Sequence, residues 1–242
     1  KRLEASHPEI IYNRHNIELQ VKEQYRRVKQ LPSTTIPIIF HVIHHTDEEK
    51  ISEAQVYSQI DALHRDFGEL TLESEQEYPA LEREGFRERL ESMGLNFCFP
   101  DAGDTPTNLS GINYYSTSKI SWQMNDEMKY NRKGGANAVF PDKVLNIWVV
   151  NLESPLSGYA QMPGAAVITD GIVIDYKFLG TMGTVQEPYH LGKTLTHLVD
   201  NYLGLHDLWG EYRCADDYVH DTPIHNSPNY GCAAYKHFTT CE

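Results

Sequence analysis

The chain has 242 residues, of which 40% are hydrophobic and 23% charged. This composition is typical of a globular protein with ample material for a core, and it excludes a disordered or collagen-like chain. The formal net charge of -13 argues against a nucleic-acid partner or an anionic membrane surface, because both would repel the protein. No apolar run approaches the roughly 18 residues of a membrane-spanning helix, so no transmembrane segment is predicted.

Residues 1–34 are polar and mixed in charge, and we interpret them as an N-terminal helical extension of pro-segment type. Four apolar residues recur there at helical spacing, namely Ile17, Val21, Tyr25 and Val28. This spacing predicts an amphipathic helix laid on the domain and ended by Pro32. The chain opens at Lys1 without an initiator methionine, which we interpret as a processed or trimmed product.

Strand and helix patterns alternate over the next hundred residues. Residues 35–44 are β-branched and apolar on both faces, which predicts a buried strand. Ser52 and Gln55 form a capping-box pattern at the start of a helix that should run to about Phe67. A second, mostly exposed helix is predicted in the glutamate-rich residues 69–92.

Four further strands are predicted, at residues 95–99, 111–116, 144–150 and 172–176. The third of these, VLNIWVV, is the clearest strand in the chain and should be central in a sheet. The segment 158–164, GYAQMPG, is bounded by glycines and contains a proline, so it suits an edge strand. After Gly210 no periodicity survives.

The four cysteines are unevenly placed. Cys98 lies in an apolar strand-like segment and is predicted to be a buried thiol. Cys214, Cys232 and Cys241 cluster in a turn-rich region, which suits a disulfide-stapled subdomain in an oxidising, extracytoplasmic compartment. Because three is an odd number, one of them lacks a partner within this chain.

The segment 194–209, TLTHLVDNYLGLHDLW, follows the outline of the zincin signature HExxHxxGxxH. In that signature two histidines on one helical face bind zinc, a glutamate is the general base, and a glycine turns the chain so that a third ligand can return. His197 stands at the first ligand position, and the turn glycine is present. Leu198 replaces the glutamate, Asn201 the second histidine and Asp207 the third.

These replacements predict the loss of peptidase chemistry. Leu198 cannot take a proton from water, and loss of a general base typically costs about 10²- to 10⁴-fold in rate. Asn201 offers only a neutral amide oxygen to a metal. We therefore expect no zinc, with His197 as a hydrogen-bonded residue of a vestigial groove. One alternative stays open, a non-standard metal set drawn from His197, Asp200, His206 and Asp207.

Seven segments resemble the pappalysin metallopeptidases, especially the bacterial cytophagalysin-type members, in the family's order. They are IPIIFHVIH, QIDALHRDF, LNFCF, KVLNIWVVNL, GYAQMPG, TDGIVIDY and LWGEYRCADDYVHDTPIHNSPNYGC. The resemblance implies an α+β, metzincin-like fold with a twisted, mostly parallel five-stranded sheet, backing helices, an active-site helix and an irregular disulfide-stapled C-terminal subdomain. It makes residues 35–242 a pappalysin-like metallopeptidase domain, with the family's methionine turn expected further along.

The resemblance also assigns residues to the site. The family's zinc ligands fall on His197, Asn201 and Asp207, and its general base falls on Leu198. The upper rim of the cleft, which in the family pairs with an extended substrate backbone, falls on a run of five residues: Gly158, Tyr159, Ala160, Gln161 and Met162.

Two further features are implied by the same family. One is a disulfide between Cys214 and Cys241, with Cys232 paired to a cysteine downstream. The other is a calcium site, for which Asp217, Asp221 and Thr222 would supply the oxygen ligands that a hard cation requires.

The resulting prediction is an inactive pappalysin-like homologue, a pseudo-peptidase that is secreted or held at the cell surface. A lipid anchor upstream of residue 1 is compatible with that location. The expected partner is a peptide or protein bound in the cleft, or a surface assembly in which the chain is an accessory subunit. The alternative is an active metalloendopeptidase with a non-standard ligand set.

Overall fold

The protein is described by a computed structural model that covers residues 8–25, 33–68, 93–100, 110–209, 213–219, 222, 224–231 and 240–241. The helix predicted within 69–92 lies outside these residues. The helices are α1 (Pro8–Tyr25), α2 (Glu53–Phe67) and α3 (Lys193–Tyr202). The strands are β1 (Thr34–His44), β2 (Leu95–Cys98), β3 (Ile112–Ser116), β4 (Leu145–Val150), β5 (Gly158–Ala160) and β6 (Ile172–Asp175).

The sheet runs in the order β2-β1-β4-β6-β5, and β3 also pairs with β1. All pairs are parallel except β5 with β6. The N–H groups of Thr34 and Phe40 donate to the carbonyls of Gly94 and Gly111. Since alternate N–H groups of a strand point to the same edge, β2 and β3 share one position beside β1. The six strands therefore fill the five positions of the predicted sheet, and β4 is central as predicted.

Two apolar cores lie on the two faces of this sheet. The larger core joins β1, β4 and β6 to α2 and α3, and Val56, Leu63 and Leu195 within it are fully buried. The smaller core lies on the other face around Trp148 and Met128. The Ser52 hydroxyl caps α2 by accepting from the Gln55 N–H. The Gln55 side chain bonds to the Leu179 carbonyl and to Thr184 and not to Ser52, so only this half of the predicted capping box is formed. The two cores cover both faces of β4.

Two sequence predictions need correction. Cys98 is exposed and not buried, because β2 lies at the edge of the sheet and its alternation turns Phe97 inward and Cys98 outward. The helix α1 is present, but Val21 of its predicted apolar stripe is 59% exposed. Ile17 of the same stripe is half-buried and lines a cleft with Pro163 and Tyr202, and the earlier residues Asn13 and Arg14 also contact the body of the protein.

The edge strand and the C-terminal staple follow the predictions in outline. β5 lies at the edge of the sheet, but it ends at Ala160 because Pro163 and the positive φ of Gly164 take the chain away. Cys214 and Cys241 form a disulfide, and Cys232 lies outside the described residues.

Candidate functional site

A groove of about 580 Å³ lies between β5 and α3. One wall is the rim formed by Ser157, Gly158, Tyr159, Ala160 and Met162. The floor and the opposite wall come from α3 and the turn after it. Their lining residues are Thr194, His197, Leu198, Asn201, Leu205, His206, Asp207 and Trp209. Arg14 of α1 and Met124 complete the lining. The structure therefore brings residues of the zincin-like segment 194–209 and of the predicted rim together in one groove.

The turn after α3 places Asp207 opposite His197. Gly204 has φ +98°, a left-handed conformation that favours glycine. The Gly204 N–H donates to the Asn201 carbonyl and the Leu205 N–H donates to the Asp200 carbonyl, which is the bonding pattern of a Schellman motif. The motif glycine therefore has the turning role that the sequence predicts for it.

His197 and Asp207 meet across this turn. His197 Nε2 lies 3.3 Å from Asp207 Oδ1, and that oxygen is buried without a hydrogen-bond partner. Two tetrahedral ligands at about 2.1 Å from a zinc ion lie about 3.4 Å apart, so this pair has the spacing of two ligands. The His197 side chain is 52% exposed, which leaves it open to the groove.

The residues that would complete a metal site are engaged elsewhere. Asn201 Nδ2 donates to the Leu205 carbonyl at 3.1 Å, so this side chain braces the turn. His206 faces the Arg14 guanidinium, with Nη2 3.1 Å from Nδ1, and packs edge-on against the ring of Tyr218. Among the described residues no group of three His, Cys, Asp or Glu side chains is placed to hold a metal. The donor set does not fit the three protein ligands of a zinc centre.

Leu198, at the position of the general base, is only 6% exposed and belongs to the larger core. Its Cδ1 atom lies beneath the rim, where a Cβ added to Gly158 would come within 2.6 Å of it. Leu198 therefore contributes an apolar floor that joins α3 to β5. The helix positions its neighbours Leu195 and Val199 in the same core.

Asp200, the fourth member of the alternative metal set, does not line the groove. It lies on the side of α3 that faces Asp66 of α2, where Thr196 donates to Asp66 at 2.5 Å. Burial raises the pKa of Asp200 to about 6, while the charge of His197 acts in the opposite direction. Within the four proposed ligands, a direct side-chain contact joins His197 and Asp207.

Within the described part of the chain, one row of the backbone groups of β5 has no partner strand. The Asp175 N–H donates to Ser157 O, and the Gln161 N–H donates to Gly171 O. Since backbone groups of alternate residues point the same way in an antiparallel pair, Ser157, Tyr159 and Gln161 face β6. Gly158 and Ala160 consequently direct their N–H and C=O groups away from β6, toward the groove.

Of the five predicted rim residues, four line the groove and Gln161 does not. Its side chain turns away to donate to the Ala166 carbonyl and to Asp170. Met162 follows the end of β5 and still lines the groove. Four of the predicted rim residues thus face the groove, and the Gln161 side chain instead supports the turn that precedes β6.

Arg14 was not predicted as a groove residue. Its guanidinium lies in the groove on His206, 192 positions away in the chain, and its side chain is only 15% exposed. Asn13, one residue earlier, donates to the carbonyl of Gly164 beyond the rim. The only sequence signal was an arginine near the centre of the predicted N-terminal helix, which is ordinary in a polar segment.

The predicted calcium ligands are only partly described. Asp217 is 5% exposed, and its Oδ1 accepts from the Val219 N–H at 3.0 Å. The Thr222 N–H donates to the Val219 carbonyl, and Asp221 lies outside the described residues. The calcium site stays a prediction.

Comparisons with known proteins agree with this geometry. No family model matches the chain. The mature mirolysin of Tannerella forsythia, solved with a cleaved peptide, superposes with a TM-score of 0.78 at 33% identity over 88% of this chain and 79% of that one. The chain belongs to the metzincin-type metallopeptidase family of mirolysin. A promirolysin mutant from the same organism matches with a TM-score of 0.78 at 31% identity, over 95% of this chain and 80% of that one.

Curated relatives carry the same description. An extracellular metalloprotease of Arthroderma benhamiae is 25% identical over 84% of this mirolysin-like chain and 60% of its own length. The chain spans between 34% and 60% of the first curated relatives it matches. The extracellular relatives and the disulfide are consistent with secretion, and in the described residues no helix is both long and apolar enough to cross a membrane.

Proposed function

We propose that this chain is a catalytically inactive, pappalysin-type member of its family that binds an extended peptide in the groove. The observation that carries the proposal is the combination of an apolar floor at Leu198 with a free strand edge at Gly158 and Ala160. An added peptide strand gains main-chain hydrogen bonds from such an edge. The solved relative with a cleaved peptide supports a peptide as the ligand class.

Inactivity is argued from the donors that this chain places. Leu198 offers no base, Asn201 bonds to the turn, and His197 with Asp207 supplies only part of a ligand set. The setting we propose is extracytoplasmic, as for the relatives named extracellular metalloproteases. A stable surface partner in place of a peptide is the alternative binding role.

We further propose that residues 1–34 act as a pro-segment-like extension. The first half of α1 lies over the groove through Arg14, while Leu19 and Val21 in the second half are more than half exposed. A helix that buries so little apolar surface is held to the body weakly. The proform relative matches 95% of this chain and the mature form 88%, a difference comparable to the 18 residues of α1.

Strand addition is tested by blocking the free edge. In Ala160→Pro the lost N–H faces the groove and not β6, so the sheet keeps its own bonds. We expect the variant to bind a fluorescein-labelled digest of denatured casein at least about tenfold more weakly, as the loss of one or two hydrogen bonds predicts. Fluorescence anisotropy gives the affinity. Equal binding by the variant and the wild type would refute strand addition at this rim.

The rival function, an active metalloendopeptidase with a non-standard ligand set, is favoured by the ligand-like spacing of His197 and Asp207. Elemental analysis after zinc saturation and desalting separates the two, with His197→Ala as the control. We expect no bound zinc in either protein and no chelator-sensitive cleavage of denatured casein. One zinc per wild-type chain, lost in the variant and accompanied by cleavage, would establish the rival.

A further inference from the structure

Behind the rim lies a lysine whose side chain is almost completely buried. Lys129 is 1% exposed and sits in the smaller core. Its ammonium lies 5.2 Å from the ring centroid of Trp148 and 5.5 Å from that of Tyr159. Both distances are within the range of a cation–π contact, and Tyr159 is the middle residue of the rim strand β5.

The Lys129 ammonium bonds to segments on both sides of the rim. Its Nζ lies 2.9 Å from Asp126 Oδ1 and donates to the Thr169 carbonyl at 2.7 Å. The Tyr159 hydroxyl donates to the same Asp126 oxygen at 2.9 Å. One buried charge therefore connects the loop behind the rim, the rim strand itself and the turn that precedes β6.

The network continues from that turn to the motif helix. The Thr169 hydroxyl donates to Gln161 Oε1 at 2.7 Å, and Gln161 Nε2 donates to Asp170 at 3.2 Å. The other oxygen of Asp170 accepts from the Tyr202 hydroxyl at 2.7 Å. The two walls of the groove, β5 and α3, are thus tied together through polar groups that start at Lys129.

Stability alone does not account for this arrangement. A buried ion pair is often no more stabilising than apolar residues of the same volume, because both charges lose their hydration. Burial also lowers the pKa of Lys129, because the charged ammonium loses its hydration in the core. Asp126 is in addition held at φ 60°, a left-handed conformation uncommon for residues other than glycine.

We propose that Lys129 is the positioning residue of the rim, fixing β5 and the turn at Thr169 in the geometry that an extended ligand meets. The inference rests on the proposed peptide-binding function for its consequence, but its structural step is independent of any ligand. Lys129 touches no groove surface, so it acts only through Asp126, Tyr159 and Thr169.

The test replaces the pair together, as Lys129→Met with Asp126→Asn. Met keeps the length and apolar stem of the lysine, and Asn keeps an acceptor for Tyr159 and tolerates positive φ, so neither member of the ion pair is left buried without the other. Backbone hydrogen exchange is then followed at Tyr159 and Gln161, whose N–H groups face β6. We expect both amides to exchange at least about tenfold faster in the double variant, because the rim opens locally more often.

Val56→Ala in α2 is the matched control, because it removes core volume on the face of the sheet opposite to Lys129. The inference is overturned if the two amides keep the wild-type rate, or if they speed up equally in the control. Casein-peptide affinity is the second readout and should fall about tenfold in the double variant alone. If the wild type binds no peptide, the proposed function fails while the exchange result still decides the role of Lys129.

Discussion

At the scale of single residues, Leu198 has a structural role in the floor of the groove. A glutamate there would place a carboxylate in the space between α3 and Gly158, where Leu198 is 6% exposed. We expect Leu198→Glu to lower the free energy of unfolding by about 3 kcal/mol or more, because burial of an unpaired charge is among the largest single-residue effects. Urea denaturation at neutral pH measures it.

The control for this prediction is Leu198→Met, which conserves volume and should cost less than about 1.5 kcal/mol. If Leu198→Glu is as stable as the methionine variant, the new carboxylate has turned into the groove. The apolar-floor description of this position would then be wrong.

The sequence predicted the part that two residues of the motif take in the groove, but not where the side chains of Leu198 and Asn201 point. The sequence predicted that His197 lines a groove and that a glycine turns the chain, because both depend on local spacing. It did not predict that Leu198 enters the core, since helical periodicity leaves adjacent faces ambiguous at a boundary. Nor did it predict the Asn201 bond to Leu205, which depends on the detailed path of the turn.

At the scale of elements, strands with continuous apolar runs and a capped helix were predicted well. β1, β4 and α2 have strong local signals and lie within a few residues of their predicted bounds. β5 was predicted as an edge strand but ends early at Ala160. The contacts of α1 could not be predicted, because Arg14 and His206 are far apart in sequence and their meeting depends on the whole fold.

The attachment of α1 gives a prediction at this scale. Arg14→Ala removes the guanidinium from His206 and from Glu18, 3.5 Å away on the same helix. Loss of about 1 kcal/mol of hydrogen bonding should raise hydrogen exchange of the α1 amides about fivefold. Binding of the casein digest should strengthen by a similar factor because the groove is more often open.

Lys22→Ala is the matched control, since it removes a cation and a long side chain from the exposed half of the same helix. It should change neither exchange in the first half of α1 nor peptide binding. Equal effects from the two substitutions would mean that Arg14 supports the helix only through its helix propensity.

At the scale of the whole molecule, buried titratable groups make stability depend on pH in opposing directions. His41 is fully buried in β1, with Nε2 2.9 Å from Asn146 Oδ1, and burial lowers its pKa to about 4. In the unfolded chain the His41 imidazole is protonated near pH 6.5, whereas in the folded protein it is protonated only near pH 4. This difference should remove about 3 kcal/mol of stability as the pH falls through that window.

Asp200 acts with the opposite sign. Its folded pKa is about 6, above the ordinary value of 3.8 for an aspartate. The folded protein therefore gains this proton first and is favoured as the pH falls from 6 toward 3.8. The raised pKa of Asp175 adds in the same direction. The wild-type stability should consequently change less between pH 7 and 4.5 than His41 alone would dictate.

Substitution separates the two contributions. Asp200→Asn removes the carboxyl group that opposes the effect of His41, so urea denaturation should show a steeper loss of stability from pH 7 to pH 4.5 than in the wild type. In His41→Gln the loss should disappear or reverse. The direct check is the imidazole titration of His41 by NMR in the folded wild type. A midpoint near 6.5 would mean that β1 admits the charged ring, and the predicted acid sensitivity would have to come from another group.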